Sequence, residues 1–171
     1  LPVAPRAGVA AFGILLLVVP DVDVLAGEAE FVLDGLVVAQ RVSAVGGRLY
    51  TDTDLAVRSC WQGSCGRVKT VRQLGGELGD LGIKVSAVAT FTLGERVVVF
   101  VRARRDGFVS PIGMVQGVFH ARTWAGTQVL VRDLRGVSLV DHRGNFEGTL
   151  EVLDESAVRQ RVATLGVTSG G

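Results

Sequence analysis

From Phe31 onward, apolar and polar residues alternate with period two, written largely in valine. Leu49, Thr51, Thr53, Leu55 and Val57 fall on one face of an extended chain, while Arg48, Tyr50, Asp52, Asp54 and Arg58 fall on the other. That alternation predicts a half-buried strand. Phe31 to Val45 reads as the strand before it, and Gly46-Gly47 supplies the positive backbone angles of a tight hairpin between the two. Further strands are expected over Arg67–Leu74, Arg96–Arg104, Phe108–Met114, Gly117–Trp124 and Thr127–Asp133, with Asp106-Gly107 and Ala125-Gly126 as two more hairpin turns. The run Val97 to Val101 has no polar face, so it is expected at the centre of the sheet, covered on both sides. Pro111 lacks a ladder donor and assigns its surroundings to an edge or a bulge. Leu150, Leu153, Ala157, Val158, Val162 and Leu165 recur at helical spacing, so Thr149 to Leu165 is expected to be a helix ended by Gly166. Short strands with frequent turn signals indicate a sandwich or small barrel.

The N-terminal segment breaks this pattern. Arg6 precedes the apolar run Val9 to Val19, which closes at Pro20. A positive start, a short apolar core and a helix-breaking exit describe a secretory signal peptide. The run is shorter than the roughly 20 residues that a membrane span requires. Val24-Leu25-Ala26 fits a signal peptidase cut before Gly27. A cut nearer Pro20 competes, because Val22 to Phe31 also reads as a short amphipathic helix opening the mature domain. The expected organisation is a signal peptide over 1–26, a β-domain over 27–148, and a C-terminal helix and tail over 149–171.

The chain has 171 residues, with 18 Lys+Arg against 17 Asp+Glu, so its net charge gives no reason to expect a dedicated polyanion binder. Cys60 and Cys65 are the only cysteines, and they flank the turn-like Trp61-Gln62-Gly63-Ser64. In an exported protein such a pair reads as a disulfide, with buried free thiols as the alternative. The spacing is not C-x-x-C, and a zinc site would need two more ligands, whereas His120 and His142 lie in unrelated settings.

The glycine-dense stretch Leu74 to Gly82 contains Gly75, Gly76, Gly79 and Gly82 among Glu77 and Asp80. A phosphate cradle would require a following Lys-Ser/Thr, and the two acids would repel phosphate. The remaining readings are a long connection between strands and a binding loop for a protein partner. Asp52 and Asp54 share the polar face of one strand and read as a solvated strand face, and Asp21 and Asp23 upstream show the same spacing. His120 alternates with apolar neighbours and reads as a packed or surface histidine. No serine lies in a nucleophile motif, so no catalytic residue, metal ligand or cofactor is assigned. Arg67, Lys69 and Arg72, and Arg102, Arg104 and Arg105, form basic stripes that could follow a nucleic-acid backbone. The aromatic residues expected to interleave with them are not apparent in the sequence.

The segments Val71-Arg72-Gln73-Leu74-Gly75-Gly76-Glu77, Gly94-Glu95-Arg96-Val97 with Phe100, and Gly113-Met114-Val115-Gln116-Gly117 carry a family resemblance. Over roughly Val22 to Asp133 the chain resembles a family of uncharacterised exported bacterial small β-barrel proteins. More distantly, its order of elements is similar to the netrin-type, OB-like barrel of tissue metalloproteinase inhibitors. The inhibitors' zinc-ligating N-terminal cysteine has no counterpart here. The resemblance implies a mainly β, OB-like or netrin-like antiparallel barrel with a short N-terminal and a C-terminal helix. The expected function is a secreted or periplasmic, non-enzymatic module that binds a protein or cell-envelope component. Its expected contact residues are Gly75, Gly76, Glu77, Gly79, Asp80 and Gly82, with the Cys60–Cys65 hairpin end. The alternatives are a secreted hydrolase and a single-strand nucleic-acid-binding barrel.

Overall fold

The computed structural model describes residues 21–141 and 143–168. The apolar run of the expected signal peptide, and His142, lie outside the described residues. Among the described residues the fold is mainly β, with one large sheet, two small hairpin sheets and two helices. In chain order the elements are helix α1 (Val22–Glu28) and strands β1 (Phe31–Val45), β2 (Arg48–Gln62), β3 (Val68–Leu74), β4 (Gly76–Leu78) and β5 (Leu81–Ile83). There follow β6 (Arg96–Ala103), β7 (Val109–Pro111), a 3-10 turn (Met114–Gly117), β8 (Val118–Trp124) and β9 (Thr127–Asp133). The series ends with β10 (Ser138–Asp141), β11 (Gly144–Glu147), β12 (Leu150–Asp154) and helix α2 (Glu155–Thr168).

Strands β1, β2, β3, β7 and β6 form a ring of five, because β1 pairs with both β2 and β6. The β3–β7 contact, Val71 opposite Val109, is parallel, and the other contacts in the ring are antiparallel. Closing so few strands demands strong bending. β1 supplies it with register shifts at Val32/Leu33, Asp34/Gly35 and Val37/Ala39. Gly35 sits at one of these bends, where a Cβ would lie 3.1 Å from Leu33 Cδ1 and Leu55 Cβ inside the ring. Past the ring the sheet continues as β8, β9 and β12, since β6 gives its second half to β7 and its first half to β8.

This arrangement makes two cores on either side of β6. Val97, Val99 and Val101 point into the ring with Leu33, Leu55, Val71 and Val109. Val98 and Phe100 face the helix layer with Leu25, Phe119, Leu130, Val158 and Val162. All five residues from Val97 to Val101 are fully buried, as expected of a strand with no polar face. Asp21 caps α1 by accepting from Val24 N at 3.0 Å, and Asp23 pairs with Arg161 of α2. Arg96 donates to both oxygens of Asp34 and both of Glu155, at 2.8–3.0 Å, tying the start of α2 to the ring.

The first strands and their turns follow the sequence pattern, but the C-terminal expectation requires correction. Leu150 to Asp154 is not the first turn of a helix but strand β12, paired with β9. Glu151 and Leu153 are half-buried while Leu150, Val152 and Asp154 are exposed, a period of two. Asp154 ends the strand by accepting from Ala157 N at 2.9 Å, which caps α2. The helix then runs through Gly166 to Thr168 instead of stopping there. The division expected at residue 148/149 thus falls beside a strand of the main sheet. Phe108–Met114 pairs only over Val109–Pro111 before the 3-10 turn redirects the chain.

Candidate binding surface at the glycine-rich hairpin

At the end of β3 the chain turns away from the ring. Gly75, at φ +105°, donates its N–H to Leu49 O at 2.8 Å, and Thr51 Oγ1 donates to Gly75 O at 2.9 Å. Gly76, at φ +134°, lies so close to β2 that a Cβ would stand 2.6 Å from Thr51 Oγ1. Side chains are excluded at both positions by conformation and by space. The stretch read as a long connection between strands or a binding loop forms a hairpin, β4–β5, with Gly79 at φ +62° in its two-residue turn.

Its register pairs Gly76 with Ile83, Glu77 with Gly82, and Leu78 with Leu81. Opposed residues share a face, so Leu78, Leu81 and Ile83 lie on one side and Glu77 on the other. The three aliphatic side chains are 42%, 66% and 44% exposed. β4 and β5 form a sheet of two, so each also presents an edge. Between this hairpin and the ring lies a groove of about 830 Å³, lined by Gly75, Gly76, Glu77 and Gly82 among the residues singled out from the sequence. Gly79 and Asp80 are exposed at the hairpin tip instead.

Two glutamines that the sequence reading passed over fix the groove's far wall. Gln73 Nε2 donates to Ala89 O at 2.9 Å, and Gln73 Oε1 accepts from Ala89 N at 3.1 Å. Gln40 Nε2 donates to Phe91 O at 3.1 Å and Thr53 Oγ1 at 3.2 Å. Ala89 and Phe91 are thereby held in the ring core while the hairpin projects from the opposite rim. In the sequence, two ordinary glutamines give no sign of this role.

The outer face of β2, β3 and β7 carries a different arrangement. Asp52, expected on a solvated face, is buried. Its two oxygens accept from Arg72 Nε and Nη2 at 2.7 Å each. Arg72 also lies 3.8 Å from the Phe108 ring and 5.0 Å from the Tyr50 ring. These aromatics do interleave with the basic residues, contrary to the sequence reading, but guanidinium groups lie over their faces. Asp54 accepts from Arg41 at 2.9 and 3.2 Å and from Thr70 Oγ1 at 2.7 Å, so it too is a partnered residue. Hydrogen bonds from Arg41 and Thr70 hold the Asp54 carboxyl below its ordinary range. Those from Arg104 and from Phe108 N lower Asp106 to about 2. The Asp52 bonds in turn raise the pKa of Arg72.

Other candidate residues lie apart from the hairpin. His120, on β8, places Nδ1 3.2 Å from both Glu95 oxygens. Lys69 lies over the Phe31 ring at 4.0 Å. Asp21 and Asp23 serve α1 and its contact with α2. Cys60 and Cys65 form a disulfide at the end of β2. Among the described residues, His, Cys, Asp and Glu side chains form no group of three suited to a metal ion. No described helix is long and apolar enough to cross a membrane. The chain matches no protein-family model and no curated protein.

Proposed function

We propose that the chain is an exported, non-enzymatic binding module whose ring is a small OB-like barrel, and that it captures a protein or cell-envelope partner through the β4–β5 hairpin. The observation that carries this reading is the apolar face of Leu78, Leu81 and Ile83, held out from a frame that fixes the hairpin's base. Half-exposed aliphatic side chains stand to bury about 1 kcal/mol each on docking, so the three together contribute on the order of 3 kcal/mol. The Cys60–Cys65 disulfide supports an oxidising destination. The five-strand ring with one parallel contact supports the OB-like assignment.

The packing of α1 bears on where an export signal would be removed. Leu25 and Ala26 are buried in the helix-side core, and Gln62 Nε2 donates to the carbonyls of Ala26 and Ala29. Cleavage before Gly27 would remove those buried side chains, so processing belongs near Pro20.

The test is Leu81→Asp together with deletion of residues 76–81, each checked for an unchanged far-ultraviolet spectrum and melting temperature. A photo-crosslinker placed at Ile83, a position that both variants retain, should trap a discrete partner in the cell envelope. Leu81→Asp should reduce that product at least about tenfold, the loss of roughly 1.4 kcal/mol of docking energy. Undiminished capture by both hairpin variants refutes the assignment.

A further inference from the structure

The Cys60–Cys65 bridge joins residues five positions apart, and the segment between them touches both helices. Gln62 Nε2 donates to Ala26 O at 3.0 Å and to Ala29 O at 2.9 Å, at the end of α1. Gly63, at φ +81°, packs so tightly that a Cβ would lie 2.5 Å from Glu30 O. Trp61 packs in the helix-side core, with Arg159 of α2 5.4 Å from its ring, and Arg159 Nη2 donates to Ser59 Oγ at 3.1 Å. Trp61 and Gln62 also line a groove of about 640 Å³ whose other wall includes Val162 and Leu165 of α2. Within the ring's ladders this segment supplies only the last β1–β2 pairs, Leu33 with Cys60 and Val32 with Gln62, whereas Trp61 and Gln62 seat the helix layer.

The two cysteines differ sharply in exposure. Cys60 is exposed, whereas Cys65 is 3% exposed and packs among the ring's core residues. We propose that Cys60 is a site of thiol–disulfide exchange with dithiols, and that opening the bridge there loosens α1 and α2 while the ring stays folded. Access dictates the direction of attack. A thiolate of the dithiol attacks Cys60 Sγ, forming a mixed disulfide as the Cys60–Cys65 bond breaks. Cys65 leaves with the electron pair and takes a proton from solvent. The second thiolate of the dithiol then attacks its own sulfur in the mixed disulfide, closing the dithiol's disulfide and releasing Cys60 as a thiolate. Two electrons pass from the dithiol to the protein. Burial of Cys65 keeps reagents from it, so Cys60 is the residue left open to solution chemistry. This inference is independent of the hairpin reading.

The experiment uses the whole chain with dithiothreitol as the dithiol. After native-state reduction confirmed by two titratable thiols, hydrogen exchange should show protection over Val22–Glu28 falling by about tenfold or more, as expected of local unfolding. Protection over Val97–Val101 should stay within roughly threefold of its oxidised level. Single variants supply a second readout. Cys65→Ser, which leaves Cys60, should react with iodoacetamide on the order of a hundredfold faster than Cys60→Ser, which leaves Cys65. The proposal is overturned if no thiols appear in native buffer, if α1 protection is unchanged after full reduction, or if the two variants alkylate at similar rates. Loss of protection in α1 and β6 together also overturns it, because the bridge would then hold the whole fold.

Discussion

Replacing Asp52 by Asn tests the outer-face network most directly, because the change removes a charge and keeps the shape. The Asp52 and Arg72 side chains are 4% and 8% exposed and joined by two 2.7 Å bonds. Removing one partner of a buried pair costs about 3–5 kcal/mol, since the other charge remains without compensation. Here Asp106 still lies 3.5 Å from Arg72 Nη1, Phe108 still lies against the guanidinium, and the new amide oxygen can accept one bond. These bring the expected loss below that range, to about 2–3 kcal/mol. Arg72→Met should cost a similar amount by leaving the Asp52 carboxylate buried. Combining the two substitutions removes both charges, so the double variant should be no worse than either single one. The coupling energy should be about 2–3 kcal/mol. Urea unfolding followed by tryptophan fluorescence supplies all four stabilities, provided the denaturant slope stays constant. A coupling below about 0.5 kcal/mol would place the pair among solvent-screened surface bridges and refute its role in joining β2 to β3.

Two further outcomes follow from the same structure. Asp54 and Asp106 have carboxyl pKa values below the ordinary 3.8, so their contributions are fully present above that pH and disappear as pH falls through the folded-state values. Stability should therefore drop between about pH 4 and pH 2, and Asp54→Asn should flatten that slope in urea titrations across the range; an unchanged slope would remove Asp54 from the acid response. A chain beginning at Gly27 loses the buried Leu25 and Ala26 and the Asp23–Arg161 pair. It should be about 3 kcal/mol less stable than one beginning at Asp21, and equal urea midpoints would show that α1 does not belong to the core.

The sequence made parts of this fold legible for identifiable reasons. β1 and β9 have the expected limits because their alternation extends over enough residues to establish the period. Val97 to Val101 revealed its two-sided burial because no polar residue interrupts it. β4, β5, β10 and β11 contain three or four residues each, too few to show a period. β12 was obscured because Leu150 and Leu153 fall in helical step with Ala157 and Val158 across the boundary at Asp154. The burial of Asp52 depends on Arg72, twenty residues away, and only the β2–β3 register brings them opposite each other. Alternation assigned Asp52 to the outer side of β2 but carried no information about a partner there.

That distinction also separates the two surfaces as candidates for recognition. On the outer face of β2 and β3, the Asp52 carboxylate is committed to Arg72 and the Asp54 carboxylate to Arg41 and Thr70. A ligand binding through these groups would have to replace good hydrogen bonds with bonds of similar strength, which leaves little net gain. The hairpin presents the opposite balance. Its glycines permit a close, hydrogen-bonded attachment at Gly75 and Gly76, while Leu78, Leu81 and Ile83 remain half-exposed beyond that attachment. Covering those side chains displaces water without breaking an existing polar contact, and the fixed base limits the entropy lost on docking. The outer-face cluster therefore serves chiefly to hold the strands together, and the hairpin is where association has most to gain.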